Sequence, residues 1–144
     1  IYMGEEVGWN RSFHAQDGYG LKLLNKVGLK VGVISGGSSL GLKTRAEMLG
    51  IDFIYLGKED KRGPYLDIKK NTGCTDDQIL YMGDEFFDLP LLTKVGFAAT
   101  IPGASSEVKE GVDYITSREA GNACAREVID MVRYAQKITP EIEY

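Results

Sequence analysis

Two carboxylates four residues apart, Asp84 and Asp88, lie in the segment Gly83-Asp84-Glu85-Phe86-Phe87-Asp88-Leu89-Pro90, directly after the apolar run Ile79 to Met82. With the first just past a buried strand and the second opening a helix, they can converge on one point, as a hard divalent cation such as Mg2+ requires. The plainer role for Asp88 is a helix cap, and Glu85 is expected to face solvent. A second loop, Ser35-Gly36-Gly37-Ser38-Ser39-Leu40-Gly41, combines a hydroxyl, free glycine amides and a helix N-terminus, a setting that favours an anion such as phosphate. A tight turn closed by a serine cap is the simpler alternative. Ser38 occupies the middle glycine of a dinucleotide fingerprint, where a side chain hinders the pyrophosphate. A third loop, Gly57 to Pro64, carries a run of charges, of which Lys58, Glu59 and Arg62 read as a solvated face. Lys61 differs, because it sits near a helix start, where a cation gains nothing from the dipole; it is expected to face an anion in the site. His14, the sole histidine, has no obvious catalytic partner and reads as structural. Trp9, near Phe13, suits either packing between subunits or covering a ligand.

The elements that position these loops follow from the apolar pattern. Residues 1–14 read as a β-hairpin around Glu5-Glu6-Val7-Gly8. Asp17 is placed to cap a helix with Leu21, Leu24 and Val27 on its apolar face, ended by Gly28. Short apolar strands at 31–35, 53–56, 79–82, 96–99 and 114–116 alternate with helices at 39–49, 62–72, 88–94, 104–110 and 121–135. The last helix shows Val128, Met131, Val132 and Ala135 on one face. Such alternation predicts an α/β fold, a three-layer Rossmann-like parallel sheet with helices on both faces and a projecting N-terminal hairpin. In such sheets ligands bind beyond the carboxyl ends of the strands, where all three loops fall.

The 144 residues fit one domain, 1–144, and 43% hydrophobic with 26% charged residues is the balance of a soluble globular chain. A net charge of −4 without a basic stripe argues against nucleic acid, and no apolar run reaches the length of a membrane span. A cytoplasmic protein is expected. Cys74 and Cys124, far apart, read as free thiols.

Ser35-Gly36, Lys61 and the Gly-Asp-x-x-x-Asp of 83–88 together resemble motifs two to four of the haloacid dehalogenase superfamily of phosphohydrolases. The stretches IYMGEE, FHAQDGYGLKLL, RAEMLGI, YMGDEFFDLP, VDYIT and AREVIDMVRYAQ resemble its small capless branch of octulosonate-phosphate phosphatases, over nearly the whole chain. The resemblance implies a Mg2+-dependent phosphatase of a small acidic sugar phosphate, of the octulosonate or nonulosonate kind, working through an aspartyl-phosphate. It assigns Ser35 and the Gly36 amide to the phosphoryl oxygens, Lys61 to charge balance, and Asp84 with Asp88 to the metal. It implies a homotetramer in which the N-terminal hairpins meet. The nucleophile motif, Asp-x-Asp-Gly on a central first strand, would lie just ahead of Ile1, so an upstream strand is expected. Gly37 stands where octulosonate-phosphate phosphatases usually have Arg, and Gln16 where a basic residue is common. The alternative is a catalytically inactive phosphatase-like oligomerisation domain, of the kind attached to some acylneuraminate cytidylyltransferases; the intact Lys61, Asp84 and Asp88 favour the enzyme.

Overall fold

Short β-branched and aromatic runs bounded by glycine form the strands, and two parallel patches result. The computed structural model describes residues 2–4 and 8–140. Strands β1 (Tyr2–Gly4) and β2 (Gly8–Asn10) pair antiparallel, with Met3 opposite Trp9. Residues 5–7, where the expected turn falls, and the Trp9 side chain lie outside what is described. Helix α1 (Ala15–Lys26) leads to β3 (Gly32–Ser35), α2 (Leu40–Leu49), β4 (Phe53–Leu56) and α3 (Arg62–Thr72). The second half holds β5 (Leu80–Met82), α4 (Leu89–Leu92), β6 (Phe97–Thr100), α5 (Ser106–Glu110), β7 (Tyr114–Ile115) and α6 (Cys124–Ala135).

Strand β3 pairs parallel to β4 with Ser35 opposite Leu56. Strand β6 lies between β5 and β7, parallel to both, with Met82 opposite Ala99. No strand among the described residues joins the two patches by hydrogen bonds. Aspartates fix the strand starts: Asp52 accepts from the Val31 amide at 2.9 Å, and Asp113 from the Ala98 amide at 2.8 Å. The core under β5 and β6 is built from Leu92, Ala98, Ile101, Ala104 and Val108, with Tyr81, Met82 and Leu89 packed against it.

Helix α1 departs from the sequence reading in two ways. Its N-cap is His14, whose Nδ1 accepts from the Gln16 amide at 3.3 Å. Asp17 instead accepts from the Arg126 amide at 2.8 Å, so its carboxylate caps the first turn of α6, which has no cap of its own. The buried face consists of Gly18, Gly20 and Leu23, whereas Val27 is 49% exposed. The reason is close approach: a Cβ at Gly20 would lie 3.0 Å from Ile129 Cδ1, and one at Gly18 would strike Arg45 of α2. Glycine inside a helix costs about 1 kcal/mol, a cost offset here by letting α1 seat tightly against α6 and α2. Helix α6 starts at Cys124, later than the pattern suggests, because Gly121 and Ala123 take left-handed backbone (φ 74° and 61°). It buries Val128 and Ile129, and Ala135 is exposed. Cys74 and Cys124 are free and half-buried. No described helix is long and apolar enough to cross a membrane.

Candidate active site

All three chemistry-bearing loops emerge from the carboxyl ends of parallel strands: Ser35 ends β3, Lys61 follows β4, and Asp84 follows β5. The first two loops are tied together, since the Lys58 amide donates to the Ser35 carbonyl at 2.9 Å and the Gly57 amide to the Gly37 carbonyl at 3.1 Å. Gly57 makes this possible with a left-handed φ of 67°. Ser35 Oγ accepts from the Gly37 amide at 3.1 Å, which orients the hydroxyl within its own loop. Ser39 then caps α2, its side chain accepting from Leu42. The serine-cap alternative therefore describes Ser39, leaving Ser35 to the loop.

Lys61 immediately precedes α3, in helical backbone conformation, with 7% of its side chain exposed. Its ammonium lies 4.7 Å from the centre of the Phe87 ring and 5.9 Å from that of Tyr81, and it donates to Asp88 Oδ1. Helix α3 is held further along, where Tyr65 donates to Asp76 at 2.6 Å just before β5. Lys58, Glu59 and Arg62 are exposed, so one charge of the run turns inward.

Asp88 is 1% exposed and receives four donors. Lys61 Nζ and the Tyr81 hydroxyl, at 2.6 Å, meet Oδ1; the amides of Asp84 and Glu85, both at 3.1 Å, meet Oδ2. Both oxygens thus accept from its own loop and from the residues around Lys61, and the carboxylate fixes the Lys61 ammonium. It makes no side-chain capping bond with α4. Gly83 is required here, since a Cβ would stand 2.5 Å from Asp88 Cγ. Glu85 is exposed, as its place suggests.

Asp84 keeps its carboxylate for other partners. Burial, then the negative charge of Asp88, pushes it above the ordinary carboxyl value, with Lys61 opposing. Burial and the bond to Asp88 push the Tyr81 phenol upward, so Tyr81 stays a neutral donor. No cluster of three or more His, Cys, Asp or Glu among the described residues is arranged to hold a metal, and Asp84 offers one hard oxygen donor.

Tyr81 and Phe87, which enclose Lys61, escaped the sequence reading; their signal was their alternation with the two carboxylates around the strand end. Arg11 escaped it too: its guanidinium fills the space above Gly37.

The haloacid dehalogenase-like hydrolase family matches residues 21–128, and the chain belongs to that family. Within it the chain groups with phosphoric monoester hydrolases. It is 37% identical over 126 residues to the 3-deoxy-D-manno-octulosonate 8-phosphate phosphatase of Haemophilus influenzae, covering 88% of this chain and 70% of that one. The same phosphatase from Moraxella catarrhalis, solved with a magnesium ion, a phosphate ion and a KDO molecule, superposes with a TM-score of 0.88 at 33% identity, over 95% of this chain and 78% of that one. The cobalt-bound form of the Haemophilus influenzae enzyme gives a TM-score of 0.88 at 36% identity, over 93% and 79% of the two chains.

Proposed function

We propose that this protein is a phosphatase of a small acidic sugar phosphate, 3-deoxy-D-manno-octulosonate 8-phosphate or a nonulosonate phosphate, acting in the cytoplasm. The observation that carries the reading is the Lys61–Asp88 pair, a cation held in the interior beside the carboxylate of Asp84. Burying two charges costs several kcal/mol, and apolar residues of similar volume often serve stability as well. A cation so fixed is preorganised for charge developing on a phosphoryl group.

In this reading Ser35 Oγ and the Gly36 amide bond the phosphoryl oxygens, and Lys61 balances the charge of phosphate and nucleophile. The family resemblance implies an aspartate as the nucleophile. Its attack on phosphorus releases the sugar alcohol and forms an aspartyl-phosphate, which water then hydrolyses. A divalent cation, when bound, polarises the phosphoryl oxygens as a Lewis acid. Asp84 fits it, because its carboxylate is unspent and unfavourably placed beside Asp88, a strain that a cation relieves. Asp88 orients Lys61 from below. The magnesium and cobalt ions in the two related structures support a divalent metal here.

The test is phosphate release by the full-length protein from the two candidate sugar phosphates, with Mg2+ or Co2+ and again with EDTA. Metal-dependent release is expected; none from either substrate overturns the reading. The apolar residues in segment 1–14 point to association, and the family resemblance to a homotetramer, for which light scattering should give four chain masses. A monomer with full turnover removes that part.

A further inference from the structure

We propose that Arg11 is a specificity-determining residue that binds a second anionic group of the substrate, a carboxylate, at the mouth of the Ser35–Gly37 loop; this rests on the phosphatase reading of that loop. Three observations carry it. First, the guanidinium occupies the volume that a side chain at Gly37 would fill: a Cβ there would collide with Arg11 Nη2 while standing 3.6 Å from Ser35 Oγ. The cation is thus seated against the loop, at a position that carries no side chain. Second, Arg11 Nε is buried without a hydrogen-bond partner, and no carboxylate among the described residues pairs with the guanidinium. A planar group with five donors is matched to a carboxylate in bidentate geometry, and a buried donor left unpaired awaits an acceptor. Third, the phosphoryl group already has its cation in Lys61, on the neighbouring loop. A second cation beside Ser35 suits a second negative charge on the same small molecule. The acidic group facing this loop is Glu59, whose Cγ would lie 3.4 Å from a Cβ at Gly36. It is exposed, and Arg11 seats on the Gly37 side of the loop.

The experiment compares full-length parent, Arg11→Ala, Arg11→Lys and Gly37→Ala on 3-deoxy-D-manno-octulosonate 8-phosphate and on a neutral sugar phosphate of similar size. The preference for the acid, as a ratio of kcat/KM values, should fall by about tenfold or more in Arg11→Ala, a loss typical of one charge-assisted bidentate contact. Gly37→Ala should reproduce the loss by evicting the guanidinium, and Arg11→Lys should restore part of it. An equal fall for both esters, with weaker inhibition by inorganic phosphate, would mean that Arg11 holds the phosphoryl group, and overturns the carboxylate assignment. An unchanged ratio in a variant that melts like the parent overturns it as well. Calorimetric binding of unphosphorylated 3-deoxy-D-manno-octulosonate separates this inference from the parent reading: if no ester is hydrolysed yet the parent binds the free acid and Arg11→Ala does not, the phosphatase reading fails and the Arg11 assignment stands. If the esters are hydrolysed and both proteins bind the free acid equally, the reverse holds.

Discussion

The Lys61 ammonium donates to Asp88 Oδ1 where only 7% and 1% of the two side chains are exposed, and the two partners are unequally dependent on each other. Asp88 keeps three further donors if Lys61 is removed, whereas Lys61 loses its hydrogen-bond acceptor and keeps two aromatic faces and the charge of Asp84 if Asp88 is removed.

That asymmetry sets the first prediction. Asp88→Ala should lose about 3–5 kcal/mol of stability in urea denaturation, the usual cost of stranding a buried charge. Lys61→Met should lose less than Asp88→Ala while abolishing turnover, because the carboxylate stays partly bonded and the apolar stem is replaced. Equal losses in the two variants would contradict the hydrogen-bond pattern around Asp88.

Gly83 tests the close packing of the loop on Asp88. A Cβ at 83 meets the carboxyl group at 2.5–2.8 Å, with nowhere for a fixed, four-times-bonded group to go. Gly83→Ala should destabilise by about 1–3 kcal/mol, the range for overpacking, and should cut phosphate release more than tenfold by tilting Lys61. A variant with parental melting and turnover would show that the loop yields freely.

The raised Asp84 carboxyl gives a pH dependence. Its folded value lies above the ordinary 3.8, so its contribution to stability is full below the unfolded value and is lost as pH rises through the folded one. Asp84→Asn removes that loss. Without metal, the variant should melt above the parent at pH 7, and the gap should close as pH falls toward about 4. Adding Mg2+ should raise the melting temperature of the parent and leave the variant unmoved. A metal-free variant melting below the parent at neutral pH would exclude a destabilised carboxylate at 84.

Two helical glycines should respond in opposite directions. Gly41, in the first turn of α2, has nothing within 4 Å of a built Cβ, so Gly41→Ala should stabilise by about 0.5–1 kcal/mol. Gly20 faces Ile129 and Arg126 at 3.0 Å, so Gly20→Val should destabilise by about 1–3 kcal/mol. Thermal or urea denaturation of both variants decides the matter, and a stabilised Gly20→Val would refute the tight seat of α1.

The parallel α/β plan was legible because its strands are short apolar runs that glycine and polar segments bound, a pattern intrinsic to strands covered on both faces. Lys61 stood out from its charge run because a helix start offers a cation no reward, and it is the residue that turns inward. Spacing could not tell what Asp88 does. Two carboxylates four apart can converge outward on a cation, or one can accept hydrogen bonds from its own loop, and the bonds to Asp88 from Tyr81 and the loop amides are visible only in three dimensions. The apolar face of α1 was misread for a related reason: hydrophobic periodicity weighs side chains, and here the absence of side chains at Gly18 and Gly20 makes the contact. Asp17 was assigned to its own helix because capping rules are local, while the amide it bonds lies on α6.

The shared volume of Arg11 and Gly37 makes two distant positions behave as a single inherited character. A side chain at 37 turns the flexible end of Arg11 aside, so a change at either position alters the charge that the mouth of the loop presents.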